Sequence, residues 1–357
     1  MHVPDGFFDA PTSVATGLIA AGAVGFSLHR ANRELRESGP ALAGLTAAFV
    51  FAVQMVNFPV GAGTSGHLLG GALAAALVGP WTAVLVMSTV LLVQGLLFAD
   101  GGLTALGTNI TLMGLITVLV GYLLTRALLT VLPRRVGSVV PATAVGALVS
   151  VPVAALAFTG LYAIGGAVDI PLGKLATAMV GWHLLVGIGE AVITAAVLSA
   201  VVATRPDLVY AARHLRQDLV LIDADGNTST VSPDRPIAAK PAGRSLGIGI
   251  AVTLVVAGGL SLFASAHPDG LEFVGAKLGF DTAAKDSAVA GSPLADYGVH
   301  GIGNAQVSGA LAGIIGVLVT IVVGLAIAKL ASLRAGKASR TGTATKPTKP
   351  NTANTAS

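Results

Sequence analysis

The chain has 357 residues, of which 54% are hydrophobic and 11% charged, with net charge +4 and mean hydropathy +0.81. Soluble domains carry roughly 25% charged residues, so a water-soluble globular class is excluded and lipid is the solvent for most of the chain. With no cysteine, disulfides and thiol nucleophiles are excluded, any soft-metal site must use nitrogen or methionine sulfur, and the modest charge points to no nucleic-acid partner.

The chain opens MHVPDGFFDA, whose only charges are Asp5 and Asp9. A secretory leader needs a basic segment ahead of its apolar region. The N-terminus is therefore expected to be the mature one, with Met1 retained because His2 is not small.

A spanning helix needs about 20 apolar residues. Nine candidates follow, at 11–29, 40–58, 66–79, 81–98, 105–131, 139–165, 174–203, 245–266 and 306–331. Gly79-Pro80 separates the third from the fourth, although one bent helix across that junction is the alternative. Arg30, Arg33 and Arg36, then Arg134 and Arg135, then the basic residues of 204–244, then those after 333 all fall on one side of a nine-helix count. Positive charge marks the cytoplasmic side, so the N-terminus is expected outside and the C-terminus inside. The expected class is an all-α integral membrane protein of the bacterial cell membrane: a seven-helix bundle over 1–210 plus two further transmembrane helices over 245–332. Between them, 211–244 reads as a cytoplasmic linker in which DLVLIDADGNTSTV, with its Asp-Gly turn, suits a small hairpin. Residues 266–305 form an acidic outer loop, and 333–357 read as a disordered tail.

Polar groups at membrane depth are costly, so those retained are informative. PVGAGTSGHLLGG, residues 59–71, carries Ser65 and His67 and no charge. Non-helical backbone is tolerated at that depth where it is buried in protein or lines a cavity, which would turn His67 inward. A free α-amine, the backbone nitrogen of residue 2 and the His2 imidazole can close adjacent chelate rings on one ion, and an α-amine loses its proton near neutral pH. His67 would be the fourth nitrogen. Such a donor set suits Ni(II) or Cu(II), with Co(II) as a third candidate. Asn57, Gln94, Asn109, His183 and Glu190 are the other polar groups expected at depth, with Ser65, as a supporting network. His183 and Glu190 share a helix face.

MHVPDGFF, FVFAVQMVNFPVGAGTSGHLLGGAL, LLFADGGLTALGTN and HLLVGIGEAVIT resemble the substrate-binding membrane component of the cobalt/nickel energy-coupling-factor ABC transporters, over about residues 1–210. The resemblance implies metal held by the amine of Met1, by His2 and by His67. Co2+ or Ni2+ would be transported substrate, and no cofactor would be permanently bound. AHPDGLEFVG and SPLADYG resemble the small two-helix accessory component of the same transporters, with its PDGLE motif, fused in one chain. The chain lacks a G-x-x-x-x-G-K-[ST] phosphate loop, so it is expected not to be an enzyme. ATP hydrolysis would fall to separate cytoplasmic ATPase subunits acting through a transmembrane coupling subunit.

His2-Val-Pro-Asp-Gly and His267-Pro-Asp-Gly are similar and both are expected outside. This suggests that the 266–305 loop covers the metal entrance, with His267 or His300 loading the ion. Two rival readings remain. One is a proton-coupled secondary metal transporter using Glu190 and His183. The other is an intramembrane serine protease, in which Gly63-Thr64-Ser65-Gly66 supplies the nucleophile Ser65 and His183 the base.

Overall fold

The computed structural model describes residues 1–61, 63–215, 219–222, 228–231 and 243–341. It is mostly helical. Asp9 starts α1 (Ala10–Ser38) by accepting the Thr12 N–H, with Pro11 in the first turn. Gly39, at φ 80°, ends α1 and Pro40 begins α2 (Pro40–Gln54). The same device recurs between α3 (Gly71–Val78) and α4 (Pro80–Leu97), where Gly79 has φ 93°. A left-handed φ is open to glycine at no steric cost, so α3 and α4 are two helices and not one bent helix. Glu34 of α1 accepts the N–H groups of Trp81 at 3.3 Å and Thr82 at 2.7 Å, capping α4.

α2 and α3 are shorter than the hydropathy suggests. α2 ends at Gln54, and Pro59, which disfavours helical backbone at Phe58, keeps the chain from resuming the helix there. β1 (Phe58–Gly61) then pairs antiparallel with β2 (Thr64–Gly66) in an irregular hairpin. Next come α5 (Leu106–Asn109), a π-helical stretch Ile110–Ile116 and α6 (Thr117–Val131), which together make one continuous span. α7 (Val139–Gly165) and α8 (Leu172–Thr204) complete the first part. α4 lies at its centre, with most of its residues buried.

In the linker, β3 (Leu219–Ile222) and β4 (Thr228–Val231) form the antiparallel hairpin that the Asp-Gly signal suggests; the turn itself lies outside the described residues. The second part consists of α9 (Gly243–Gly259), α10 (Gly270–Leu278) and α11 (Ala305–Thr341). The helix therefore runs past 333, where the sequence reads as tail: Ala, Lys and Arg are strong helix formers, and no proline occurs before Pro347. The remainder of the expected tail lies outside the described residues. α11 packs along α2 through small residues. Gly316 lies against the Phe51 ring, Gly313 against Met55 and the Ala257 carbonyl, and Gly324 against Ala47.

Seven helices among the described residues are long and apolar enough to cross a membrane: Ala10–Ser38, Pro80–Leu97, Leu106–Val131, Val136–Gly165, Leu172–Thr204, Gly243–Phe263 and Ala305–Leu333. The protein is a multi-pass membrane protein. Of the nine expected spans, α2 with 15 residues and α3 with 8 fall short of that length. The 266–305 segment is not merely loop. Asp269 and Glu272 form a capping box that starts α10.

Candidate metal centre

The first residues of the chain thread into the helix bundle and are held there by backbone-directed bonds. Asn109 does this from both sides: its Oδ1 accepts the Val3 N–H at 2.8 Å and its Nδ2 donates to the Val3 carbonyl at 3.1 Å. Gly102 N–H also donates to Val3, at 2.9 Å. The Asp5 carboxylate accepts from the N–H groups of Leu103 and Thr104 at 3.2 and 2.8 Å. Gly6, at φ 91°, then turns the chain toward α1. The Pro-Asp-Gly segment therefore acts as the turn expected of it, and Met1 and Val3 end up 2% and 0% exposed.

The β1–β2 hairpin brings His67 to the same place. Glu190 of α8 accepts the N–H groups of Leu69 at 2.6 Å and Gly70 at 2.8 Å, and Gln54 Nε2 donates to the Leu69 carbonyl at 2.7 Å. These bonds hold the strand-to-helix corner just after His67. Its Nδ1 lies 3.0 Å from the Leu68 carbonyl. With Nδ1–H donating there, Nε2 keeps its lone pair.

Met1 N and His67 Nε2 are 2.5 Å apart. Asp269 Oδ2 lies 2.5 Å from the amine and 3.6 Å from His67 Nε2. The His2 and His67 rings stack with centroids 4.9 Å apart. His2 Nδ1 is 3.2 Å from Asp100 Oδ1, and its Nε2 is 3.2 Å from Gln94 Oε1. Tyr297 donates its hydroxyl to Asp100 Oδ2 at 2.5 Å and accepts from Gln94 Nε2 at 2.9 Å. Two nitrogens and a carboxylate oxygen thus converge, with His2 alongside in a polar chain of its own.

Burial lowers the pKa of His2 to about 4, against the opposing pull of Asp100. The imidazole is therefore neutral at physiological pH and can offer a lone pair. Burial works against the charge of Asp269, yet the terminal amine and His67 hold its carboxyl well below the usual range. Burial, with the Asp100 charge, raises Tyr297 well above its ordinary value, so it stays a hydrogen-bond donor. Among the described residues no three His, Asp or Glu side chains are grouped to hold a metal by themselves. The terminal amine is the further nitrogen within this group, 2.5 Å from both His67 Nε2 and Asp269 Oδ2.

Of the residues singled out in the sequence, Met1, His2, His67, Gln94 and Asn109 come together here. Ser65 donates its hydroxyl to the His267 carbonyl at 2.7 Å and its N–H to the Pro268 carbonyl at 2.8 Å. His183 Nδ1 lies 2.8 Å from the Met179 carbonyl, and its ring packs beneath Gly270. The two are thus engaged separately, which leaves the protease dyad without its hydrogen bond. Asn57 acts through its carbonyl, which accepts from Ser265 at 2.8 Å. The side chains of His267 and His300 are exposed and do not enter the cluster. From the 266–305 segment it is Asp269 and Tyr297, two residues the sequence reading missed, that reach the Met1, His67, Asp100 and Gln94 groups. The repeated Pro-Asp-Gly was the available signal for Asp269, and the D-x-x-E capping pattern marked its helix.

Residues 2–208 match the family described as cobalt uptake substrate-specific transmembrane region, and residues 243–333 match the PDGLE domain. A putative fused nickel transport protein, NikMN, of Archaeoglobus fulgidus is 38% identical over 58% of this chain and 68% of its own length. The cobalt transport protein CbiM of Sorangium cellulosum is 35% identical over 58% of this chain and 94% of its own. A crystal structure described as that of a transition metal transporter superposes with TM-score 0.50 and 32% identity, covering 56% of this chain and 92% of that one. The chain therefore belongs to the cobalt uptake substrate-specific transmembrane family, and it carries a PDGLE domain in the same polypeptide.

Proposed function

We propose that this protein binds a divalent transition metal ion, Co2+ or Ni2+, at the outer face of the cell membrane. It then passes the ion inward as the substrate-specific component of an ATP-driven importer. The ligands are the Met1 amine, His2 and His67. The observation that carries the reading is the 2.5 Å approach of the buried terminal amine to His67 Nε2. A neutral imidazole has one N–H, so His2 can donate to only one of Asp100 and Gln94. Its other ring nitrogen then turns a lone pair toward an oxygen, a poor arrangement that rotation onto a cation relieves.

The surrounding groups have supporting roles. Gln94 and Asp100 orient His2, Asn109 fixes Val3, and Gln54 and Glu190 fix the corner after His67. Glu190 and His183 bond to backbone in this arrangement, which favours a framework role for them over proton coupling. In this reading the N-terminus lies outside and the C-terminus inside. A transmembrane coupling subunit and cytoplasmic ATPase subunits supply the work of emptying the site. The nickel and cobalt transport names of the relatives support the choice of cation.

The test is equilibrium Co2+ and Ni2+ binding to purified protein that begins at Met1, compared with the same protein acetylated at its amine or extended by two residues. Binding is expected to be lost in both blocked forms. Equal affinity in all three would overturn the reading.

A further inference from the structure

Asp269 has two oxygens with different tasks. Its Oδ1 accepts the N–H groups of Leu271 at 2.7 Å and Glu272 at 2.9 Å, which starts α10. Its Oδ2 takes no part in the cap and points at the terminal amine, 2.5 Å away, with His67 Nε2 at 3.6 Å. The residue is 8% exposed. It is also held rigidly. Ser65 bonds the carbonyls of the two residues before it, Glu272 accepts its N–H at 2.8 Å, and the residue after it lies on the His183 ring.

We propose that Asp269 of the PDGLE domain is an oxygen donor to the transported cation, so that the binding site is assembled across both parts of the chain. The proposal rests on the reading of Met1, His2 and His67 as ligands. Metal–nitrogen and metal–oxygen bonds of about 2.0–2.2 Å place neighbouring donors of one ion roughly 2.8–3.4 Å apart. The separations of 2.5, 2.5 and 3.6 Å among the amine, His67 and Asp269 bracket that interval. Shifts of a few tenths of an ångström therefore suffice.

Charge points the same way. When the cation binds, the amine releases its proton to water. Even with the His2 backbone nitrogen deprotonated to bind it, the doubly charged ion leaves one positive charge over in a buried pocket, where an uncompensated charge is expensive. The carboxylate that faced an ammonium faces the ion instead, and its attraction grows. A nitrogen-only site would leave that carboxylate buried beside the ion without a bond to it.

The experiment uses the full chain starting at Met1, with Co2+ alone as probe, read by its visible absorption and by equilibrium affinity. Asn caps a helix about as well as Asp, so Asp269→Asn removes the charge and keeps α10. Asp269→Ser is the second variant, should the first misfold. The expected result is a changed Co2+ absorption spectrum and an affinity lower by at least the roughly tenfold that loss of a mere outer partner of a ligand costs. A spectrum identical to that of the unmodified protein would overturn the proposal, whether or not affinity falls, because a carboxylate donor cannot be exchanged for a neutral carboxamide, or lost, without altering the bands. An acetylated sample separates the two readings. If acetylation abolishes Co2+ binding while Asp269→Asn leaves the spectrum alone, only the role of Asp269 fails. If acetylation changes nothing, the site itself is misassigned.

Discussion

Glu190, in the middle of α8, accepts two backbone N–H groups, those of Leu69 and Gly70, at 2.6 and 2.8 Å. A carboxylate at mid-bilayer costs roughly 2.5–3.5 kcal/mol on the insertion scale when it is not compensated. Here it satisfies donors that the adjacent strand-to-helix corner cannot pair with its own backbone. The charged residue and the irregular backbone are each unfavourable alone and stabilise one another.

Removing Glu190 therefore orphans two buried donors. Each orphan costs about 1–3 kcal/mol, so Glu190→Ala is expected to lower stability by ~2–6 kcal/mol and to weaken metal binding through displacement of His67. Glu190→Gln keeps an acceptor and is expected to lose about half as much. Thermal unfolding in detergent, with metal binding measured alongside, checks the order. A Glu190→Ala protein as stable as the parent would contradict it.

Gln94 and Asp100 flank the His2 ring. Outer partners of a metal-ligating imidazole are typically worth 10–100-fold in affinity, so roughly that loss is expected for Asp100→Asn and Gln94→Ala. Since both also meet Tyr297, Tyr297→Phe is expected to cause a smaller loss in the same direction. Isothermal titration with Ni2+ ranks the three, and a loss from Tyr297→Phe larger than that from Asp100→Asn would disprove the proposed chain of contacts.

The pKa of His2 lies below its unfolded value, at about 4 against 6.5. The unfolded chain therefore binds an extra proton between these values, and stability rises with pH across that window. The contribution of His2 is fully present above pH 6.5 and is lost as pH falls toward about 4. The pH dependence of the unfolding midpoint should flatten in this window for His2→Gln. A His2 ring titrating near 6.5 in the folded protein, read by nuclear magnetic resonance, would refute the assignment.

A side chain at Gly316 would strike the Phe51 ring. Overpacking of this kind costs typically 1–3 kcal/mol, so Gly316→Leu should lower the unfolding midpoint of the full chain and loosen α11 from α2. Faster protease cleavage near residue 243 relative to the parent would report the loosening; unchanged cleavage would show that the contact gives way freely.

Much of this arrangement was legible in the sequence because membrane proteins retain so few polar groups. His67 in an uncharged glycine-rich segment and His2 beside the amine stood out for that reason, and so did Asn109 and Gln94. The lengths of α2 and α3 were less legible: hydropathy continues through Val60 and Leu69, while the backbone has left the helix after Gln54 and does not resume it until Gly71. Asp269 was hidden differently. Its Pro-Asp-Gly was visible and so was its likeness to the start of the chain, but imidazole is the donor that suits Ni(II) or Cu(II), which pointed to His267 and His300. Those two side chains are exposed, whereas the carboxylate between them is turned inward by its own helix cap.

The ion pair between Met1 and Asp269 spans 268 residues. At a synthesis rate of about 5–20 residues per second, the partner of the first residue emerges roughly 13 to 54 seconds after it. For that interval the amine of Met1 lacks the carboxylate that it faces in the finished structure. On the proposed reading, assembly of the cation-holding cluster waits until residue 269 has been made, which makes capture depend on the second part of the chain.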